Sequence, residues 1–204
     1  TGVTALALGT REPWTLAGCV FECLLVAREG PRFYDRYLHG ELAADDERVL
    51  STLRAALQLL KIANADHSNL TELQAVDLVV HEKAAMVVIG DWAKINFASR
   101  GMEPGRDYGE ISFPGTNEAL VFTSDTFSLP LAAKNKAGGI RLLQTIGSRE
   151  AQTAMNLTKG CISPRGDVPL PDQPQVELKR KLLRAGPAVL ALSGIVPALF
   201  ADDV

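Results

Sequence analysis

The sequence predicts an α/β domain that is rich in helices and contains a small central sheet. Its 204 residues are 47% hydrophobic and 22% charged, enough apolar material for a sizeable core, and we predict a single domain over residues 1–204. The apolar, β-branched run at residues 84–89 has the composition of a buried strand. Segments with helical spacing flank this run, so helices are expected to pack around it.

The first part of the chain is expected to be helical before this strand. We predict helices over residues 14–28 and 71–80, with Gly30-Pro31 ending the first one. Between them, Asp45-Asp46 is expected to cap a long amphipathic helix. Its apolar residues recur at helical spacing and are interpreted as core: Val49, Leu50, Leu53, Leu57 and Leu60.

The second part of the chain alternates strand and helix signals. Tryptophan 92 is expected to open a short helix after the strand. The remaining predicted elements are strands over residues 108–113 and 120–129, helices over 131–146, 148–157 and 175–185, and a proline-rich loop over 164–174.

Charge and hydropathy exclude several classes of function. The net charge of −3 and the absence of a basic stripe disfavour nucleic-acid binding. A run of cations in the last predicted helix is interpreted as a solvated face rather than an anion site: Lys179, Arg180, Lys181 and Arg184. The apolar run at residues 188–200 is too short to span a bilayer.

Metal and catalytic signatures are also missing from the sequence. Three cysteines, Cys19, Cys23 and Cys161, permit at most one internal disulfide. The three histidines are interpreted as surface or turn residues, and no metal site is predicted: His39, His67 and His81. No nucleophile elbow, P-loop or metalloprotease helix occurs. We therefore expect no cofactor and no enzymatic activity.

Three residues in or next to predicted elements are candidates for ligand binding. Trp92 follows the predicted strand, where α/β sheets bind ligands, although a tryptophan can equally be a packing residue. Asp125 lies inside the predicted strand 120–129 and could instead pair with nearby backbone. Lys159 lies at a predicted helix end, where the helix dipole alone would favour a cation.

Three short stretches surround these residues: Gly90-Asp91-Trp92-Ala93-Lys94, Ser124-Asp125 with Leu129-Pro130, and Lys159-Gly160 with Asp167-Val168. They resemble segments of the extracellular solute-binding proteins of ABC sugar importers (family 1), especially the glucose, galactose and mannose binders. The resemblance implies a lobe of the type II periplasmic-binding-protein fold. It also implies a sugar stacked on Trp92 and hydrogen-bonded to Asp125 and Lys159. Trp14 would lie near the cleft, and Glu12 and Arg165 are weaker candidates.

The same resemblance implies a function. A monosaccharide would be held without covalent chemistry and delivered to an ABC transporter permease. Proteins of this family are periplasmic or extracellular, either lipid-anchored or secreted, although no signal peptide is visible in this sequence.

The sequence also departs from that family. Glu72 stands where relatives carry a second tryptophan, and residues 190–195 lack the histidine that touches sugar in relatives. The chain begins where such proteins enter their second, C-terminal lobe, so we expect a truncated protein without the first lobe and with weakened binding. The alternative is a degenerate lobe that binds no sugar. Such a lobe would act as an interaction module, pairing as a homo-oligomer through the surface its first lobe would have covered.

Overall fold

A computed structural model describes residues 2–169 and 174–194 and shows a helix-rich α/β fold with two small parallel sheets. In the first sheet β1 (Thr4–Ala7) pairs with β2 (Ala84–Val87). In the second sheet β3 (Leu120–Phe122) pairs with β4 (Ala188–Leu190). The predicted α/β class is confirmed, but the expected single central sheet is two separate strand pairs.

Helices make up most of the regular structure in the described residues. The α-helices are α1 (Glu22–Glu29), α2 (Pro31–Leu38), α3 (Glu47–Leu59), α4 (Glu72–Val80), α5 (Lys94–Ala98), α6 (Lys136–Ile146), α7 (Arg149–Lys159) and α8 (Pro174–Ala185). A π-helical segment, Leu16–Phe21, leads into α1. Short 3-10 turns lie at Leu60–Ile62, His67–Asn69, Asp91–Ala93 and Leu192–Gly194.

Several helices begin at polar residues that satisfy their first backbone N–H groups. Asp46 accepts a hydrogen bond from the Arg48 N–H at 2.9 Å and starts α3, as predicted. Thr71 and Gln74 form a reciprocal capping box at the start of α4. Ser148 likewise caps α7.

Three predicted elements are shorter than expected or missing. Residues 108–113 form no strand, since no neighbouring strand pairs with them in the described structure. The strand predicted over 120–129 ends at Phe122, because its partner β4 is only three residues long. The helix predicted from residue 131 begins at Lys136, where the Asn135 side chain caps it.

Gly30-Pro31 ends one helix but opens another. Gly30 has a φ of 86°, which terminates α1, and Pro31 then occupies the first turn of α2. Proline is tolerated there because that N–H has no intrahelical partner. The predicted loop at 164–169 is confirmed, whereas residues 170–173 of that loop and 195–200 of the apolar run lie outside the described residues.

The main core lies between the first three helices and the second sheet. Its buried residues are Leu25, Val26, Phe33, Tyr34, Val49, Ala119 and Val189. The interpretation of the α3 leucines as core is wrong for Leu53 and Leu57, which are 42% and 56% exposed. The smaller Thr52 and Ala56 occupy the inward positions instead.

No helix of the described residues is long and apolar enough to cross a membrane.

Candidate functional site

An open pocket of about 360 Å³ lies beyond the carboxyl ends of the strands. Its lining residues follow the four strands in the chain or lie at the end of α7: Trp14, Trp92, Thr123, Ser124, Asp125, Lys159, Ser193 and Gly194. Strand carboxyl ends are where α/β sheets present ligand-binding groups, because the connecting loops converge there. The two parallel sheets therefore contribute jointly to one site.

Two tryptophans form one wall of this pocket. The rings of Trp14 and Trp92 are 6.2 Å apart between centroids and tilted by 49°, and both are half-buried. The Trp92 ring folds back over Gly90, where an added Cβ would overlap its six-membered ring. Glycine at position 90 is thus what allows the ring to adopt this orientation.

An ion pair between Lys159 and Asp125 also lines the pocket. The Lys159 Nζ donates to Asp125 Oδ2 at 2.9 Å, and the side chains are 41% and 77% exposed. Lys159 is the last residue of α7, which Gly160 ends in the left-handed conformation with a φ of 72°. The hydrogen bond that Lys159 donates to Asp125 raises the pKa of Lys159, so the amine stays charged. Asp125 itself lies beyond β3, and its predicted place inside a strand is wrong.

The pocket therefore combines apolar rings with charged hydrogen-bonding groups. Lys159 keeps N–H donors beyond the one given to Asp125, and the carboxylate keeps free acceptor positions. Such a surface complements a ligand that has an apolar face and a rim of groups that both donate and accept.

The two weaker candidates lie outside the pocket lining. Glu12 Oε1 accepts a hydrogen bond from Arg11 Nη2 at 3.0 Å. The other carboxylate oxygen of Glu12, Oε2, is buried without a hydrogen-bond partner among the described residues. Arg165 pairs with Asp167 at 2.8 Å and donates to the Gly147 carbonyl.

Glu72, where the resemblance implied a tryptophan, does not line the pocket either. It is the first residue of α4, directly after the Thr71 cap. A carboxylate is favoured in the first turn of a helix, where it faces the positive end of the dipole.

Four lining residues were not predicted from the sequence. Thr123 and Ser124 precede Asp125, and Ser193 and Gly194 follow β4. Small polar residues carry little signal, but these four lie next to segments already singled out. The sequence could have indicated them only through the strand ends that bring them together.

A buried carboxylate holds the Ser193 side of the pocket. Glu22 Oε2 accepts from the Tyr34 hydroxyl and from the Leu192 N–H, each at 2.8 Å. Burial raises the pKa of Glu22 to about 7, although both hydrogen bonds act in the opposite direction. Helix α1 is thus fastened to the Leu192–Gly194 turn that reaches the pocket.

The predicted solvated face of the last helix is wrong for Lys179. Its side chain is 21% exposed and contacts Asp91 and Glu110, since α8 lies against the main body of the fold. Lys181 and Arg184 are exposed as predicted.

The chain's cysteines and histidines form no reactive or metal-binding centre within the described residues. No group of three or more potential metal ligands is found there, and Cys19, Cys23 and Cys161 are free thiols. Burial raises the pKa of Cys19 and Cys23 to about 12, so neither thiol is ionised at neutral pH.

Solved structures with the same fold are binding proteins. A chitin oligosaccharide binding protein aligns with a TM-score of 0.73 and 16% identity, over 98% of this chain and 53% of that chain. The solute receptor AcbH, described as exclusively preferring β-D-galactopyranose, aligns with a TM-score of 0.73 and 18% identity. This alignment also covers 98% of this chain and 53% of that chain. At these identities the likeness establishes the fold.

Sequence comparison identifies relatives that are themselves named as binding proteins. An uncharacterized ABC transporter extracellular-binding protein of Pyrococcus horikoshii is 39% identical over 168 residues, which is 82% of this chain and 37% of that protein. A probable sugar-binding periplasmic protein of Mesorhizobium japonicum is 28% identical, over 82% of this chain and 40% of that protein. A xylose/arabinose-binding protein of Haloferax volcanii is also 28% identical, over 82% of this chain and 36% of that protein.

This chain thus spans about two fifths of the length of these curated relatives. The profile of the family described as bacterial extracellular solute-binding protein matches residues 20–153, about two thirds of the sequence. Proteins of this family bind solutes and are not enzymes, which confirms the prediction that the chain has no enzymatic activity. The chain therefore belongs to the family of bacterial extracellular solute-binding proteins.

Proposed function

We propose that the pocket binds a sugar and that the protein delivers this sugar to an ABC transporter permease in the periplasm or outside the cell. One observation carries the proposal. Trp14, Trp92, Asp125 and Lys159, selected from the sequence as sugar contacts, come from four distant positions and line the same pocket.

The chemistry of these residues suits a pyranose. The C–H face of a sugar ring is apolar and packs against indole rings such as those of Trp14 and Trp92. Its hydroxyls donate and accept, and a charged donor beside a charged acceptor serves two neighbouring hydroxyls. Each buried hydroxyl left unpaired costs about 1–3 kcal/mol, so this pair can discriminate between epimers.

We propose a monosaccharide of the glucose, galactose or mannose class as the ligand. The galactopyranose-preferring structure is consistent with a hexose, whereas the relative named as xylose/arabinose-binding makes pentoses the alternative to test. Asp125 is 77% exposed, which supports weak binding by this domain alone, since hydrogen bonds open to water add little. The domain would form the second lobe of a two-lobed protein, in which closure buries the ligand.

The test is isothermal titration of the purified chain with glucose, galactose, mannose, xylose and arabinose. Trp92→Ala is expected to weaken binding about tenfold or more, because the stacking face is lost. Leu142→Ala removes an exposed apolar side chain outside the pocket and serves as the control. If none of these sugars gives binding heat with a protein shown to be folded, sugar binding by this chain is contradicted.

The second candidate is a self-associating interaction module without sugar binding. Its supporting observation is a set of exposed apolar side chains, among them Leu131 at 93% and Ile111 at 76%. Exposed apolar surface favours association. Sedimentation of the chain over a range of concentrations, combined with the sugar titration, distinguishes the two candidates. A monomer that binds sugar excludes the interaction module, and an oligomer that binds no sugar supports the interaction module.

A further inference from the structure

We infer that Lys179 is a positioning residue for the pocket, acting through Asp91 on the neighbouring Trp92. The inference rests on the proposed sugar-binding function for its effect on affinity, but its effect on Trp92 can be measured without any sugar. Lys179 does not line the pocket. Its effect on the tryptophan therefore passes through its ionic partner Asp91, which lies next to Trp92 in the same turn.

Four charged side chains form an alternating chain beside the pocket. Lys179 Nζ lies 3.3 Å from Asp91 Oδ2 and 2.6 Å from Glu110 Oε1, and Glu110 Oε2 lies 2.8 Å from Lys94 Nζ. Each of the two central members, Lys179 and Glu110, has an oppositely charged partner on both sides. The four side chains are 10–26% exposed, so water screens these contacts only partly.

The members come from separate parts of the fold. Asp91 opens the turn that carries Trp92, and Lys94 is the first residue of α5. Glu110 lies in an extended segment without regular structure, and Lys179 lies on α8. Helix α8 packs against β3, whose end supplies Thr123, Ser124 and Asp125 to the pocket. The Lys179–Asp91 contact therefore joins the tryptophan wall to the β3 side of the same pocket.

The electrostatics support a fixed geometry. Burial acts to lower the pKa of Lys179, but Asp91 and Glu110 outweigh it, and the net shift is upward. Burial acts to raise the pKa of Glu110, but Lys179 and Lys94 outweigh it, and the net shift is downward. Lys179 and Glu110 thus both favour their charged forms, and removing the Lys179 cation leaves the partly buried Asp91 carboxylate without this ion pair, which costs more than the lost contact.

The chain offers a matched pair of substitutions and an unusual probe. Lys179→Met removes the amine but keeps an unbranched stem, and Lys181→Met makes the same change at an exposed position of the same helix. The sequence contains two tryptophans, and both line the pocket. Selectively excited tryptophan fluorescence, acrylamide quenching and near-ultraviolet circular dichroism consequently report on this wall without a label.

In Lys179→Met we expect a red-shifted tryptophan emission, easier quenching and a sugar affinity about tenfold lower. Lys181→Met should match the wild type in each measurement, and Lys179→Arg should restore most of the wild-type signal because it keeps the cation. Far-ultraviolet circular dichroism checks that each variant is folded. If Lys179→Met is unfolded, Asp91→Asn removes the link from the tryptophan side and is expected to give the same spectral changes.

Failure of the two proposals would look different. If the wild type binds no sugar but Lys179→Met still shifts the tryptophan signals, sugar binding is contradicted and the positioning role stands. If folded Lys179→Met, or Asp91→Asn in its place, has the tryptophan signals of the wild type, the positioning role is overturned, whatever the wild type binds.

Discussion

Gly90 shows how a residue without a side chain shapes this site. The Trp92 ring occupies the space that a Cβ at position 90 would need, so the ring can lie across the pocket wall only if that position is glycine. In the sequence, Gly90 is recognisable only as the residue that follows a predicted strand. The close approach of the ring depends on the conformation of the turn at residues 90–92 and on the Trp92 side-chain rotamer, which the residue pattern does not encode.

We therefore expect Gly90→Ala to displace the Trp92 ring. The overlap should lower the free energy of unfolding by about 1–3 kcal/mol and weaken sugar binding about tenfold. Near-ultraviolet circular dichroism and titration with sugar measure the two effects. Gly109→Ala, where an added Cβ meets nothing within 4 Å, is the control and should change neither. An unchanged tryptophan spectrum in Gly90→Ala would contradict this account of the wall.

Glu22 is a second residue whose role follows from burial. It is 3% exposed, and its Oε2 holds both the Tyr34 hydroxyl and the Leu192 N–H. Burial raises its pKa from 4.5 to about 7. Between these two values the native protein keeps a proton that the unfolded chain releases, so the contribution of Glu22 to stability falls as the pH rises.

The change Glu22→Gln is expected to flatten this pH dependence. Glutamine keeps an acceptor oxygen for both donors but does not titrate. In the wild type, the contribution lost between about pH 4.5 and about pH 7 is on the order of 3 kcal/mol. Urea unfolding at several pH values measures it, with the exposed Glu118→Gln as the control. The prediction is wrong if Glu22→Gln and the wild type show the same slope of stability against pH.

Helices and their caps were the elements best predicted from the sequence. The Asp46 cap, the helix over residues 71–80 and the helix ending near Lys159 all rest on local chemistry: a side-chain oxygen that accepts from a free N–H, or a glycine in the left-handed region. Such signals need no partner elsewhere in the chain, which is why they can be read locally.

Strands were predicted less well because their length depends on a distant partner. β3 stops at Phe122 since β4, almost seventy residues later, offers only three residues to pair with. The same dependence explains why residues 108–113 stay irregular and why β1 was not predicted. In the second sheet the pairing decides the strand end, and that end decides where Asp125 lies.

The candidate site was predicted only in part from the sequence. Trp14, Trp92, Asp125 and Lys159 line one pocket, but their contact with sugar stays a prediction. Lys179 was misassigned because a helical cation looks solvated unless the acidic segments packed against it are known. Residues whose effect passes through a second side chain are, for this reason, the hardest to recognise in a sequence.

The two sheets pack in separate core clusters that share helix α3, which supplies Val49 to the cluster at the second sheet and Ala56 to the cluster at the first. This shared helix bears on the prediction of a single domain over residues 1–204. Buried side chains of α1 and α2 pack in one cluster with Val189 of β4, and Glu22 fastens α1 to the turn after β4. Since the pocket takes residues from both sheets, the sheets must hold a fixed distance for the site to exist.

We consequently expect the chain to unfold in one cooperative transition. In urea, tryptophan fluorescence reports the pocket wall beside the first sheet, and far-ultraviolet circular dichroism reports all helices, so the two curves should coincide. Val189→Ala, which opens a cavity in the core beside the second sheet, should move both midpoints equally and lower the free energy of unfolding by about 1–3 kcal/mol. Thr123→Ala, on the exposed rim, is the control. If Val189→Ala moves the circular dichroism curve and leaves the fluorescence curve in place, the sheets belong to separate folding units, and the pocket between them would need a ligand to hold its shape.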